Sequence, residues 1–308
     1  MRWNQRLLLA TLRMACALPT SLLLAIARAL AWPLASFARG RRRVVLANLG
    51  LCFPELSVGE RSALADRNLR STAVSLLENL LAWYAPARRL QLQLEGAEHL
   101  REAIAQGNGA ILLTPHFTMI EMVPRALSLA ANGDWQLSTV VRRHNAASAE
   151  AVIDAGRRRW SPTIDKKDVR GMLRALKDNR ALISAPDQNF SYGSVFAPFF
   201  GVAAATTTGN LRLAKAAGCP TLPCMVRRLA DGRGWLVRID PPLADFPSGD
   251  SLADATRSNA MVEAEVRQIP EQYLWAHRRF RSRPEGETSL YDDDVLKQHH
   301  RHRDAAGD

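Results

Sequence analysis

Short, mostly apolar runs alternate along the chain with longer stretches in which apolar residues recur every three to four positions. The short runs at 92–95, 111–113, 136–141, 181–185, 221–226 and 235–239 predict strands, several of them apolar on both faces as in a buried parallel sheet. Between them, 98–106, 119–129, 146–160, 169–177, 205–217 and 251–267 predict helices. Ser57 followed three residues later by Glu60 is a capping-box signature, and Leu69, Ala73, Leu76 and Leu80 then keep helical spacing as far as Trp83. Residues 190–201 read as a loop rich in aromatics. The alternation predicts an α/β fold: a mixed, largely parallel central sheet flanked by helices.

The amino-terminal pattern is different. Residues 14–38 are almost all apolar, interrupted by Pro19, Arg28 and Pro33, which is long enough to cross a bilayer as one helix. An uncleaved membrane anchor is the expectation. An interfacial helix and a signal peptide are the competing readings, the latter opposed by Arg28 and Trp32 inside the apolar region. Arg2, Arg6 and Arg13 precede it and Arg41, Arg42 and Arg43 follow, so a count of positive charges does not set its orientation. The predicted organisation is an anchor with its basic flank (1–43), a main domain (44–290) and a polar tail (291–308).

Charge narrows the set of partners. A formal net charge of +11 over 308 residues favours anionic partners, among them acidic lipid head groups, phosphorylated substrates, an acidic carrier protein or nucleic acid. Aromatics are only 6% and no nucleic-acid module pattern occurs, so a membrane-anchored nucleic-acid-binding protein is kept only as a distant reading. The four cysteines are too scattered for a disulfide framework and lack zinc-site spacing. His299, His300 and His302 belong to the polar tail, and no metal or cofactor is expected.

Candidate chemistry sits at predicted strand ends, where open α/β sheets build their crevices. His116 follows the 111–113 strand and Thr114-Pro115, and Glu121 comes five residues later. A histidine there suits a general base, with the nearby carboxylate orienting the imidazole and stabilising its charged form. The pattern alone is short enough to recur by accident, with the histidine merely satisfied in a turn. Arg142 and Asp187 end two other strands, and Arg157 and Arg159 end a neighbouring helix. Such a cluster suits an anionic substrate and a developing oxyanion.

Longer blocks carry a resemblance. Asn48-Leu-Gly-Leu-Cys-Phe-Pro-Glu55, the His116/Glu121 block, Arg142, Gly156-Arg-Arg-Arg159, the 168–177 helix, Pro186-Asp187, the 195–200 and 204–209 segments, and the 271–286 region occur in order. Together they resemble the late, lauroyl-type acyltransferases of lipid A biosynthesis, within the bacterial lysophospholipid acyltransferase superfamily. The resemblance implies transfer of an acyl group from acyl carrier protein to a hydroxyl of a Kdo-bearing lipid A precursor at the inner membrane, the catalytic domain facing the cytoplasm. An acyltransferase acting on another lysolipid is the near alternative.

On that reading His116 takes the hydroxyl proton and Glu121 orients it. Arg159 is the expected oxyanion donor, with backbone amides at a helix start near Thr118 as its rival. Arg142 and the Lys166-Lys167 region are expected to bind lipid phosphates or Kdo carboxylates, as are Arg278 and Arg279, which alternatively dock the acidic carrier. Asp187 is expected to hold an arginine or a loop in place. One departure stands out: Asn189 occupies a position at which the family commonly has an acid.

Overall fold

The computed structural model describes residues 10–11, 14, 16, 18–142, 147–190 and 192–291. Its centre is a seven-stranded sheet in the order β1-β9-β8-β2-β5-β3-β4. These strands are β1 (Gln91–Glu95), β2 (Ala110–Leu113), β3 (Gln136–Val141), β4 (Thr163–Asp165), β5 (Arg180–Ser184), β8 (Thr221–Arg228) and β9 (Gly234–Ile239). Every neighbouring pair is parallel except β8 with β9, so the mixed, largely parallel sheet read from the sequence is present. All four residues of β2 are buried, as are four of the five in β5. That is why both read as unbroken apolar runs: helices cover both faces of these central strands.

Those helices are α3 (Val58–Tyr84), α4 (Ala97–Ala105), α5 (Met122–Ala130), α6 (Ala147–Arg157), α7 (Val169–Lys177), α8 (Gly209–Ala217) and α9 (Ser251–Gln268), preceded by α1 (Thr20–Phe37) and α2 (Arg39–Cys52). The Ser57/Glu60 capping box forms: the Ser57 oxygen accepts from the Glu60 amide at 3.2 Å, and Glu60 accepts from the Ser57 amide at 2.7 Å.

Four elements were not legible in the sequence. β4 is three residues long, too short to show a period. Segment 190–201 is not a plain loop: β6 (Ser194–Phe199) and β7 (Val202–Thr207) pair as an antiparallel hairpin through a turn at Phe200 and Gly201, both with positive φ. Pro198 inside β6 obscured its alternation. The helix expected from 205 accordingly starts at Gly209, after β7 has ended. Finally, α2 buries Val44, Val45, Asn48, Leu49 and Cys52 at helical spacing, behind an arginine-rich first turn. It crosses the 43/44 junction at which the sequence suggested a domain boundary.

The expected single anchor at 14–38 does not appear as such. No single helix among the described residues is long and apolar enough to cross a membrane; α1 and α2, bent by 89° at their junction, reach that length and composition only together. α1 instead lies along α3, with Leu23, Leu24, Ala27 and Ala31 buried. Its other face carries Leu22, Ile26, Leu30 and Leu34 at intervals of four, each between 45% and 53% exposed, with Leu18 just before the helix 46% exposed. The polar tail beyond Tyr291, with its three histidines, lies outside the described residues.

Candidate active site

The chain leaves β2 through Thr114 and Pro115, and His116 stands in the turn before α5. An extended stretch from the carboxyl-terminal region holds this turn. Thr118 donates its amide to the Gln272 carbonyl at 2.8 Å, and Leu274 donates to the His116 carbonyl at 3.0 Å. Two buried asparagines hold that stretch in turn. Asn68 on α3 donates to the Glu271 and Tyr273 carbonyls at 3.0 and 2.6 Å, and Asn48 on α2 to those of Trp275 and His277 at 2.7 and 2.8 Å. A side-chain amide has two donors, which suits it to cross-link a carbonyl row that belongs to no sheet. This geometry accounts for asparagines on two helices facing one distant segment.

The carboxylate beside His116 is Asp187, not Glu121. Asp187 follows β5, the neighbour of β2, so the two strand ends place it against the imidazole. Asp187 Oδ1 lies 2.7 Å from His116 Nδ1, and Oδ2 accepts the His116 backbone amide at 2.9 Å. The Tyr273 hydroxyl lies near the same carboxylate and helps to lower its pKa. Burial alone would raise the Asp187 pKa, but the His116 charge and these hydrogen bonds outweigh it and hold it down at about 2. An ionised carboxylate can only accept, so Nδ1 carries a proton, and in the neutral form of the ring the lone pair is on Nε2. The His116 side chain is 24% exposed, whereas that of Asp187 is 1% exposed. The expectation that Asp187 holds an arginine or a loop is thereby corrected: it holds the histidine.

Glu121 turns elsewhere. Its carboxylate accepts from Arg157 Nε at 2.9 Å and from the Trp83 indole at 2.8 Å, and a further short bond joins it to Arg157 Nη2. The H-x4-E spacing therefore brings both groups to one cavity without making them partners, because the chain is still in a turn between them and α5 begins only at Met122. Burial alone would depress the Arg157 guanidinium, and Glu121 reverses this. Both side chains are largely buried. Removing one member of such a pair strands the other charge, so Glu121→Ala is expected to cost about 3–5 kcal/mol in denaturant unfolding. Replacing both residues by methionine should restore most of that stability.

These groups border a cavity of about 890 Å³ that opens at the carboxyl ends of β2, β3 and β5. Val140, Met172, Leu173, Ile183, Leu213 and Ala216 give it an apolar wall. Arg142, Lys166 and Arg212 add cations to its lining, as does the Glu121-bound Arg157. Arg142 and Lys166 thus fall where the sequence placed an anion site, and Arg212, one turn into α8, was missed. Gln188 was also missed, although it follows Asp187 directly; its amide nitrogen is 3.0 Å from His116 Nε2. A second histidine, His277, lines the cavity too. Burial pushes it down to about 4, and its Nε2 accepts the Asn189 amide at 3.0 Å, so it is neutral and engaged near neutral pH.

Four other expectations change. Arg159 is exposed, lies against the Trp160 ring at 5.4 Å, and does not line the cavity. Its rival, the amides around Thr118, are spent: His116 donates to Asp187, Phe117 to Pro115 and Thr118 to Gln272. Arg279 is 2% exposed and donates to the Ala205 carbonyl and to Thr206, which leaves it in the interior under the β6–β7 hairpin. Arg278 is exposed over the Tyr291 ring at 5.8 Å, away from the cavity lining. At the family's departure point, the Asn189 side chain both donates to the Ser282 hydroxyl and accepts the Ser282 amide, each at 3.0 Å. It ties two loops together and uses the donor that an acid lacks.

The sequence pattern of a family described as bacterial lipid A biosynthesis acyltransferase matches residues 1–282. The chain is 37% identical to the lipid A biosynthesis lauroyltransferase of Escherichia coli (strain K12) over 260 residues, 83% of this chain and 84% of that protein. It is 36% identical to the lipid A biosynthesis palmitoleoyltransferase of the same organism, over 83% of each. A lipid A biosynthesis acyltransferase of Haemophilus influenzae is 34% identical over 89% of each chain.

Proposed function

The chain belongs to the bacterial lipid A biosynthesis acyltransferase family, and from that membership we propose that it moves a fatty acyl group from acyl carrier protein to a hydroxyl of a Kdo-bearing lipid A precursor, with His116 as general base. The observation that carries this reading is the His116 imidazole, fixed through Nδ1 by Asp187 and presenting Nε2 to an apolar cavity of about 890 Å³. His116 Nε2 takes the proton as the acceptor oxygen attacks the thioester carbonyl. The carbon–sulfur bond then breaks, and the imidazolium returns the proton to the leaving thiolate. Asp187 sets the tautomer and stabilises the charged imidazole. The thioester is already activated, so the reading needs no cofactor and no covalent enzyme intermediate.

The apolar wall suits an acyl chain, and Arg142, Lys166 and Arg212 suit phosphates or carboxylates of the acceptor. Arg157 supports the site through Glu121. The outward leucines of α1 suit contact with the inner membrane, lying in its interface with the catalytic domain on the cytoplasmic side. A lipid with several buried chains resists leaving the bilayer, at about 0.8 kcal/mol per exposed methylene, so the enzyme must meet it there.

Mass spectrometry of lipid A from cells with and without the gene tests the proposal. One secondary acyl chain should disappear, and its mass gives the donor length. Unchanged lipid A, with acylation of another lysolipid lost, would favour the near alternative. The similar identities to lauroyl and palmitoleoyl enzymes leave the chain length to that experiment.

A further inference from the structure

The amide of Gln188 sits on the one atom that the proposed reaction needs. Asp187 occupies Nδ1, so Gln188 donates its N–H to the lone pair of His116 Nε2 at 3.0 Å. An acceptor hydroxyl must make that same contact to lose its proton. The residues on either side are clamped. Asp187 is held by the His116 amide at 2.9 Å, and Asn189 by His277 and by Ser282, each at 3.0 Å. The Gln188 side chain, by contrast, lies along the cavity with three rotatable bonds of its own.

The reaction also needs a donor for the oxygen of the tetrahedral intermediate; Arg142, Lys166 and Arg212 are assigned above to the acceptor's anionic groups, and several groups nearer His116 are engaged. The amides of His116, Phe117 and Thr118 have protein acceptors, and Arg157 is tied to Glu121. The oxyanion forms two bonds from the attacking oxygen, and that oxygen sits on His116 Nε2. A group displaced from Nε2 by the hydroxyl is therefore within a side-chain rotation of the developing charge.

Resting on the general-base reading of His116, we infer that Gln188 is a catalytic residue with two successive partners. It caps Nε2 until the acceptor hydroxyl displaces it. Its N–H then turns to the thioester carbonyl oxygen and stabilises the negative charge as the tetrahedral intermediate forms. No bond to Gln188 is made or broken, and the proton path stays on His116.

The test compares Gln188→Met, Gln188→Glu and His116→Ala in the full chain, with an acyl-loaded carrier protein and a purified lipid A precursor. Methionine keeps the length of the side chain without the donor; glutamate keeps its shape, also without the donor when ionised. Both variants are expected to lose about 100-fold in kcat, the usual cost of one oxyanion donor, with an acceptor KM equal to or below that of the parent. If the methionine variant does not fold, the glutamate variant decides by the same criterion. A kcat within about threefold of the parent, or a loss carried wholly by a raised KM, overturns the assignment. Activity surviving in His116→Ala would instead defeat the general-base reading itself, so the two failures are distinguishable.

Discussion

His116→Ala will abolish measurable acyl transfer while leaving a folded protein. The loss should reach about 1,000-fold or more, the range that a positioned base supplies. The fold should survive because the side chain is partly exposed and lines a cavity, so its removal opens no void in the core. Asp187 loses one donor but keeps the His116 backbone amide. Purified variant and parent should be compared in the transfer assay and by thermal melting. A rate within tenfold of the parent, in a protein free of wild-type contamination, would defeat the mechanism.

Asp187→Asn will be nearly as damaging, and for a different reason. An asparagine that turns its amide N–H toward Nδ1 draws the lone pair there and moves the proton to Nε2, where the base must be free. The expected loss is about 100- to 10,000-fold in kcat, with little change in acceptor KM. The same substitution should alter acid stability. The Asp187 pKa lies near 2 in the folded chain, below the ordinary 3.8. A depressed carboxylate stabilises the fold fully above about pH 4, and that contribution is lost as the pH falls from about 4 toward 2. The asparagine variant lacks this contribution at every pH, so its acid-unfolding curve should be flatter through that window. Equal slopes for the two proteins would show that the ion pair does not couple to folding.

The sheet was legible because its strands are buried on both faces, and length and apolarity are properties that a sequence displays directly. His116 and Arg142 were legible because each follows a strand that the sequence shows, and strand ends of an open sheet converge, whereas Lys166 was read only from its charged run and follows the unseen β4. The partner of His116 was not. Spacing along the chain pointed to Glu121, whereas β5 lies beside β2 and brings in Asp187, 71 residues away. Strand order is a long-range property that local pattern does not encode. The same limit explains Arg279: a run of arginines looks solvated until the hairpin that covers one of them is known. Trp83 was seen only as the end of a helix, and nothing local announced that its indole would reach Glu121.

The placement of α1 has a practical consequence. Its inner face contributes Leu23 and Leu24 to the main core and Ala27 and Ala31 to a cluster with Val74. Thr20 also donates to the Arg89 carbonyl at 2.9 Å. The segment is therefore not a detachable tether. A shortened chain starting at α2 would uncover the greasy back of α3, the same helix whose Asn68, Ser71 and Trp83 brace the turn that carries His116. Trimming the leader to gain solubility would trade one sticky surface for another and loosen the scaffold beneath His116.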